Sequence, residues 1–160
     1  MIKLLLLAFL LLPIQNAQPP APEIWAEPIP YLETAIVEDY LAPVSKYGAG
    51  HRGIDFKVPL GSEIHAPSDG VIHFRGKVVN RQLVTLRTDS GKRVSFEPVC
   101  SNLAPGDRVS KGEVIGYQCN SDPSYEEHCE GCIHASVRDE YGYLSPMQMF
   151  GQLSPSVLLS

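Results

Sequence analysis

The sequence predicts an all-β protein with a small antiparallel sheet core of the barrel-sandwich type. Three observations carry that expectation. From residue 54 onward, β-branched and aromatic residues gather in runs of four to six, too short for helices. Gly, Pro, Asn and Asp punctuate those runs at regular short intervals, as in a sandwich or barrel. Within the runs apolar and polar residues alternate: Val84 and Leu86 with Thr85 and Arg87, Val94 and Phe96 with Ser95 and Glu97. At 160 residues and 44% hydrophobic content the chain can bury one core and is short for two.

The first seventeen residues read as an export signal. Lys3 is followed by the apolar run Leu4 to Leu12, which Pro13 ends. The run is short for a bilayer span, so a cleaved signal is expected over a retained tail, leaving no membrane anchor. Gln15 is bulky for a cleavage site, and no cysteine lies nearby for lipidation. The net charge of −5 becomes −6 when Lys3 is removed, which gives no footing for nucleic acid. Residues 18–47 form a proline-rich arm, with five prolines between 18 and 30. Trp25 within it suggests packing against the domain. Tyr31 to Leu41 reads as a short helix or an irregular lead-in.

Strands are expected over Ile54–Val58, Glu63–Ala66, Gly70–Phe74, Leu83–Arg87, Arg93–Phe96, Glu113–Tyr117 and Cys132–Val137. Asp89-Ser90-Gly91 and Pro105-Gly106-Asp107 supply turns between them. Residues 120–131 make a polar loop. Ser145-Pro146 opens a short helix through Phe150, with a serine cap and proline in the first turn. Residues 48–150 thus form the core and 151–160 a tail. Four cysteines in an exported chain suggest two disulfides, of which three pairings are possible. Cys129–Cys132, close in sequence, and Cys100–Cys119, at the ends of neighbouring strands, are the favoured pairs.

The chemistry gathers at His51, Asp55 and His134. Two imidazoles and a carboxylate suit a catalytic zinc with one open position. Spacing alone also permits a solvated surface pair at His51 and Asp55 and a structural histidine at 134. The glycines around His51, in Gly48-Ala49-Gly50-His51-Arg52-Gly53, allow the tight bend that would bring these groups to one centre. His65 and His73 fall on strands away from the motif, and His128 lies in the polar loop, so all three read as bystanders. Tyr125 and Tyr143 are candidates to line a groove.

From Gly48 to about Phe150 the chain resembles the lysostaphin/LytM-type zinc endopeptidases, which cut peptide cross-links in peptidoglycan. The likeness runs through GAGHRGIDFKVPLGSEIHAPSDGVIHFRG, GKRVSFEPV, PGDRVSKGEVIGY, CIHASVR and SPMQMF. It implies an antiparallel β core with a groove, zinc held by His51, Asp55 and His134, and a secreted or cell-wall location. It also implies two proton-handling histidines, at positions that here carry Pro98 and Cys132. Their loss would remove general acid–base help worth about 10²–10⁴-fold.

Glu97 is the substitute base on offer. Alternation with Phe96 and Pro98 turns it to the other face, which counts against it unless a bulge intervenes. A reduced Cys132 could close the site as a fourth ligand; bridged to Cys129 it could not. The expected function is therefore an exported zinc protein, impaired in hydrolysis, that binds peptidoglycan or regulates a partner hydrolase. The alternative is an active endopeptidase using Glu97. A third reading takes Pro105 to Gly116 as the turn of a biotinyl or lipoyl carrier, but Lys92 in the obvious hairpin lacks the flanking methionine such carriers show.

Overall fold

The computed structural model describes residues 23–45, 47–120 and 129–151. The expected signal segment, most of the polar loop with Tyr125 and His128, and the tail from 152 lie outside the described residues. The chain forms α1 (Leu32–Ala35), β1 (Ile36–Glu38), β2 (Ile54–Lys57), β3 (Glu63–His65), β4 (Gly70–Val78), β5 (Arg81–Thr88) and β6 (Arg93–Glu97). There follow β7 (Val99–Cys100), β8 (Arg108–Val109), β9 (Val114–Gln118), β10 (Cys132–Arg138), β11 (Tyr143–Leu144) and α2 (Pro146–Met149).

These strands make two antiparallel sheets. The larger has the order β1-β2-β10-β6-β5-β4-β8, with β11 added on β10; the smaller is β3-β9-β7. One hydrophobic cluster fills the space between them, with Phe56, Phe96 and Ile133 from the large sheet and Ile64, Val99 and Ile115 from the small one. Alternation decides which residues enter it. In β6, Val94 and Phe96 are buried while Arg93, Ser95 and Glu97 are only half-buried. In β10, Ile133, Ala135 and Val137 are buried and His134 and Ser136 half-buried. The large sheet therefore has an apolar inner face and a polar outer face.

The main strands stand where the sequence places them, and β4 and β5 run longer than the apolar pattern shows. Beyond the last β5–β6 pair, Val84↔Phe96, the two strands continue as a two-stranded extension, Gly76↔Leu83 to Val78↔Arg81, where backbone pairing needs no core. Thr88 and Gly91 close the predicted hairpin between β5 and β6, with Gly91 at φ 89°, a region that favours glycine. The pairs Cys100–Cys119 and Cys129–Cys132 are both bonded, with Cα separations of 5.7 and 5.4 Å.

The arm is built into the fold from residue 23. Trp25 is buried and packs edge-on to Phe150, which caps the C-terminal helix, and the Trp25 backbone N–H donates to the Met149 carbonyl. Glu23 pairs with Lys92 at 3.1 Å. Partial burial pushes the Glu23 carboxyl up, but hydrogen bonds, led by the Ser90 hydroxyl, and the Lys92 charge outweigh it and hold the group below its usual value. Lys92 is thereby tied to the arm, unlike the free hairpin lysine of a carrier module. Beyond α1 the chain joins the large sheet as β1, pairing Ile36 with Phe56 and Glu38 with Asp55. The sequence reading has no strand here, because three residues carry too little pattern to announce one.

Candidate metal centre

His51, Asp55 and His134 come from three places in the chain and meet on the outer face of the large sheet. Asp55 lies in β2 and His134 in β10, directly opposite each other in the pairing register. Residues opposite in an antiparallel pair share a face, so register alone brings the carboxylate and the imidazole together. His51 precedes β2, and its backbone bridges to Leu41 by two 2.9 Å hydrogen bonds. Gly50 permits that approach: a Cβ there would sit 2.6 Å from the Leu41 carbonyl oxygen. Gly53 does the same for the imidazole. A Cβ on it would lie 2.6 and 2.7 Å from Cε1 and Nε2 of His134 and would press on the Ala135 carbonyl.

The three facing atoms are His51 Nε2, Asp55 Oδ1 and His134 Nδ1. Asp55 Oδ1 lies 2.8 Å from His134 Nδ1 and 3.3 Å from His51 Nε2, and the two ring nitrogens are 3.2 Å apart. The potential ligand atoms of the group all fall within 4.8 Å of one another. A tetrahedral zinc with bonds of about 2.0–2.1 Å places its ligand atoms about 3.3 Å apart, so the triangle has the right size for such an ion. The other nitrogen of His51 is also accounted for. Its Nδ1 donates to the Asp39 carbonyl at 2.8 Å, which leaves Nε2 as a lone-pair donor facing the centre. Asp55 is 0% exposed. A buried carboxylate needs a donor or a cation beside it, and an imidazole nitrogen facing Asp55 can be either the donor or a fellow metal ligand. The group can hold a metal ion, and its donor set fits zinc.

The model of peptidase family M23 matches residues 49–146. The chain belongs to this family. Members of M23 are metallopeptidases, many of them secreted cell-wall enzymes acting on peptidoglycan. An uncharacterised protein of Mycobacterium tuberculosis is 30% identical over 100 residues, covering 62% of this chain and 39% of that protein. The chain thus spans about two-fifths of the length of the curated relatives it matches. Among solved structures, the catalytic domain of lysostaphin from Staphylococcus simulans superposes with a TM-score of 0.61 at 21% identity, covering 76% of this chain and 96% of that one. A chain of the SpoIIIAH–SpoIIQ complex matches with a TM-score of 0.63 at 18% identity, covering 77% and 97%. These structural likenesses establish the lysostaphin/LytM-like fold. Among the described residues no helix is long and apolar enough to cross a membrane.

The surroundings of the M23 triad correct one expectation. Glu97 does alternate with Phe96, which is fully buried, and with buried Pro98. The register, however, sets Glu97 opposite His134. Alternation therefore turns Glu97 onto the triad's face, and no bulge is needed. The sequence argument lacked the pairing partner: β6 and β10 are far apart in the chain, and only their register says which face carries the site. The Glu97 carboxylate meets Arg81, with Oε2 3.5 Å from Nε. Cys132 also shares the triad's face, two residues before His134, and its sulfur is bonded to Cys129. The remaining described histidines lie apart: His65 Nδ1 bonds the Gly112 carbonyl, and His73 is exposed.

Proposed function

We propose that this M23 chain is an exported zinc protein of the cell envelope that binds peptidoglycan peptides and hydrolyses them poorly. His51, Asp55 and His134 would hold the ion through Nε2, Oδ1 and Nδ1. When bound, zinc supplies Lewis acidity toward a carbonyl and a more acidic water. The chain's own residues must then move protons, and here the neighbourhood is deficient. Pro98 has no ionisable group. The Cys132 sulfur is committed to Cys129 and can neither ligate nor transfer a proton. The observation that carries the reading is the contrast between a convergent ligand triangle and a Cys132 on the same face whose sulfur is tied up in a disulfide. Export rests on the apolar run near the N-terminus, and a partner hydrolase is the natural recipient of a binding-only role.

The register of Glu97 opposite His134 favours a second reading, in which that carboxylate serves as base in an active endopeptidase. Its contact with Arg81, at 3.5 Å through Oε2, competes with this role for the same carboxylate. Incubation of zinc-loaded protein with purified peptidoglycan separates the two. The first reading expects no new amino termini beyond those seen with Asp55→Ala. Hydrolysis that disappears in Glu97→Gln while zinc stays bound would establish the second.

A further inference from the structure

The polar face of the large sheet continues past the triad to a row of arginines. In the register of β5, β6 and β10, Arg87 stands opposite Arg93, and Arg93 opposite Arg138. Three like charges lie side by side across three strands, an arrangement that destabilises an antiparallel sheet. Among the described residues, none of the three side chains has a hydrogen-bond or ion-pair partner. Arg93 and Arg138, with Arg52, line a cleft of about 880 Å³. Its walls are aromatic: Tyr47 and Tyr141 are 87% and 88% exposed, and the Arg52 guanidinium lies 5.9 Å from the centre of the Tyr143 ring. Asp139 and Glu140 also line the cleft, and one oxygen of the Asp139 carboxylate, Oδ1, accepts from the N–H groups of Tyr141 and Gly142. Three aligned guanidiniums, none of them in a direct ion pair, beside exposed aromatic rings are the equipment for bidentate capture of an anion.

The distance to the triad fixes how such a ligand would lie. Arg138 follows His134 by four residues on one strand, about 13 Å at 3.3 Å per residue. Ser95, Ser136 and Thr85 sit on the same face between the two ends, a polar floor for an extended chain.

We propose that the Arg87–Arg93–Arg138 row, assisted by Arg52, is a carboxylate-recognition subsite that anchors an acidic peptide so that its chain runs along β10 to the metal centre. The inference rests on the reading of this face as a peptide groove and adds the ligand's chemistry and polarity. A peptide fits better than a phosphate polymer because the row is continuous, along one strand, with the metal centre of a peptidase family. The carboxylate grip would select peptides with free acid groups over their amidated forms.

The test is calorimetric titration of the full chain with a synthetic peptidoglycan stem pentapeptide bearing free carboxylates, and with the same peptide amidated. The acid peptide is expected to bind about tenfold or more tightly, in line with a charged hydrogen-bonded contact. The double substitution Arg93→Gln with Arg138→Gln should erase that preference with metal content unchanged. Arg93→Gln alone should raise the melting temperature by about 2–4 °C by relieving two like-charge pairs, which also verifies folding. Asp55→Ala, which removes the metal centre, should keep the preference, so failure of the zinc reading and failure of the subsite are separable. Equal affinity for the two peptides, or an undiminished preference in the double variant, overturns the proposal. Inorganic phosphate that displaces the acid peptide at lower concentration than free glutamate does would also overturn it, and would assign the row to a phosphate polymer.

Discussion

The ligand triangle and the residues immediately around it follow opposite designs. At His51, Asp55 and His134 every local feature favours convergence: Gly50 and Gly53 clear space, Asp39 orients one ring, and register delivers the other. On the same face the Cys132 sulfur is tied to Cys129 and the Glu97 carboxylate meets Arg81 at 3.5 Å, while Pro98 is buried. On the proposed reading, a metal centre is kept in geometric order while the two proton-handling histidines that the family resemblance implies are replaced. Metal binding and turnover are separate demands on a fold, and the proposed reading has this chain meet the first.

The largest effect should come from supplying what the flank lacks. Pro98→His together with Cys132→His and Cys129→Ser is expected to raise peptidoglycan hydrolysis by about 10²–10⁴-fold, the ordinary worth of general acid–base help. Release of new amino termini measures it, and no gain with metal bound would break the comparison. Asp55→Ala comes next. It removes the buried carboxylate of the triad, so bound zinc should fall below about a tenth of an equivalent. The zinc-dependent gain in stability, about 2.7 kcal/mol when free metal is a hundred times its dissociation constant, should vanish with it. Metal analysis and thermal unfolding with and without zinc report both.

Gly53→Ala probes the clearance. The new Cβ would collide with the His134 ring and the Ala135 backbone, so we expect a loss of about 1–3 kcal/mol in stability. Zinc affinity should fall about tenfold or more, read by competition with a chelator. If Gly53→Ala leaves affinity unchanged, the tight approach is incidental. The smallest effect is remote. Glu23→Gln removes the ion pair that clips the arm to Lys92 and should cost no more than about 1 kcal/mol. Because the folded carboxyl titrates below its usual 4.5, its contribution is present above that value and fades as the pH falls through the lower folded value. Unfolding of wild type and Glu23→Gln should therefore converge in acid and differ near neutrality.

How much of this could be read from the chain depended on distance along it. His51 follows a glycine-rich stretch, Asp55 stands four residues on in β2, and His134 lies in a short apolar strand, so local motif could nominate them, while spacing alone left a surface pair and a structural histidine open. Strand alternation likewise marked Phe96, Ile133 and their neighbours for the core. Glu97 shows where local reading stops. Its face relative to Phe96 was evident, but the meaning of that face depends on the pairing of β6 with β10, a contact between distant segments. The same pairing sets Arg93 opposite Arg138, while Arg87 meets Arg93 across the β5–β6 hairpin; all three look like ordinary surface charges in the sequence. β1 escaped notice for another reason: it is held by backbone hydrogen bonds to β2, which carry no side-chain signature.

The most direct test of the central contrast is the release of new amino termini from purified peptidoglycan by zinc-loaded protein, with metal content measured on the same sample. We predict about one zinc per chain and no release above that of Asp55→Ala. Sustained release by the wild-type protein, lost on Glu97→Gln with the zinc retained, would contradict it.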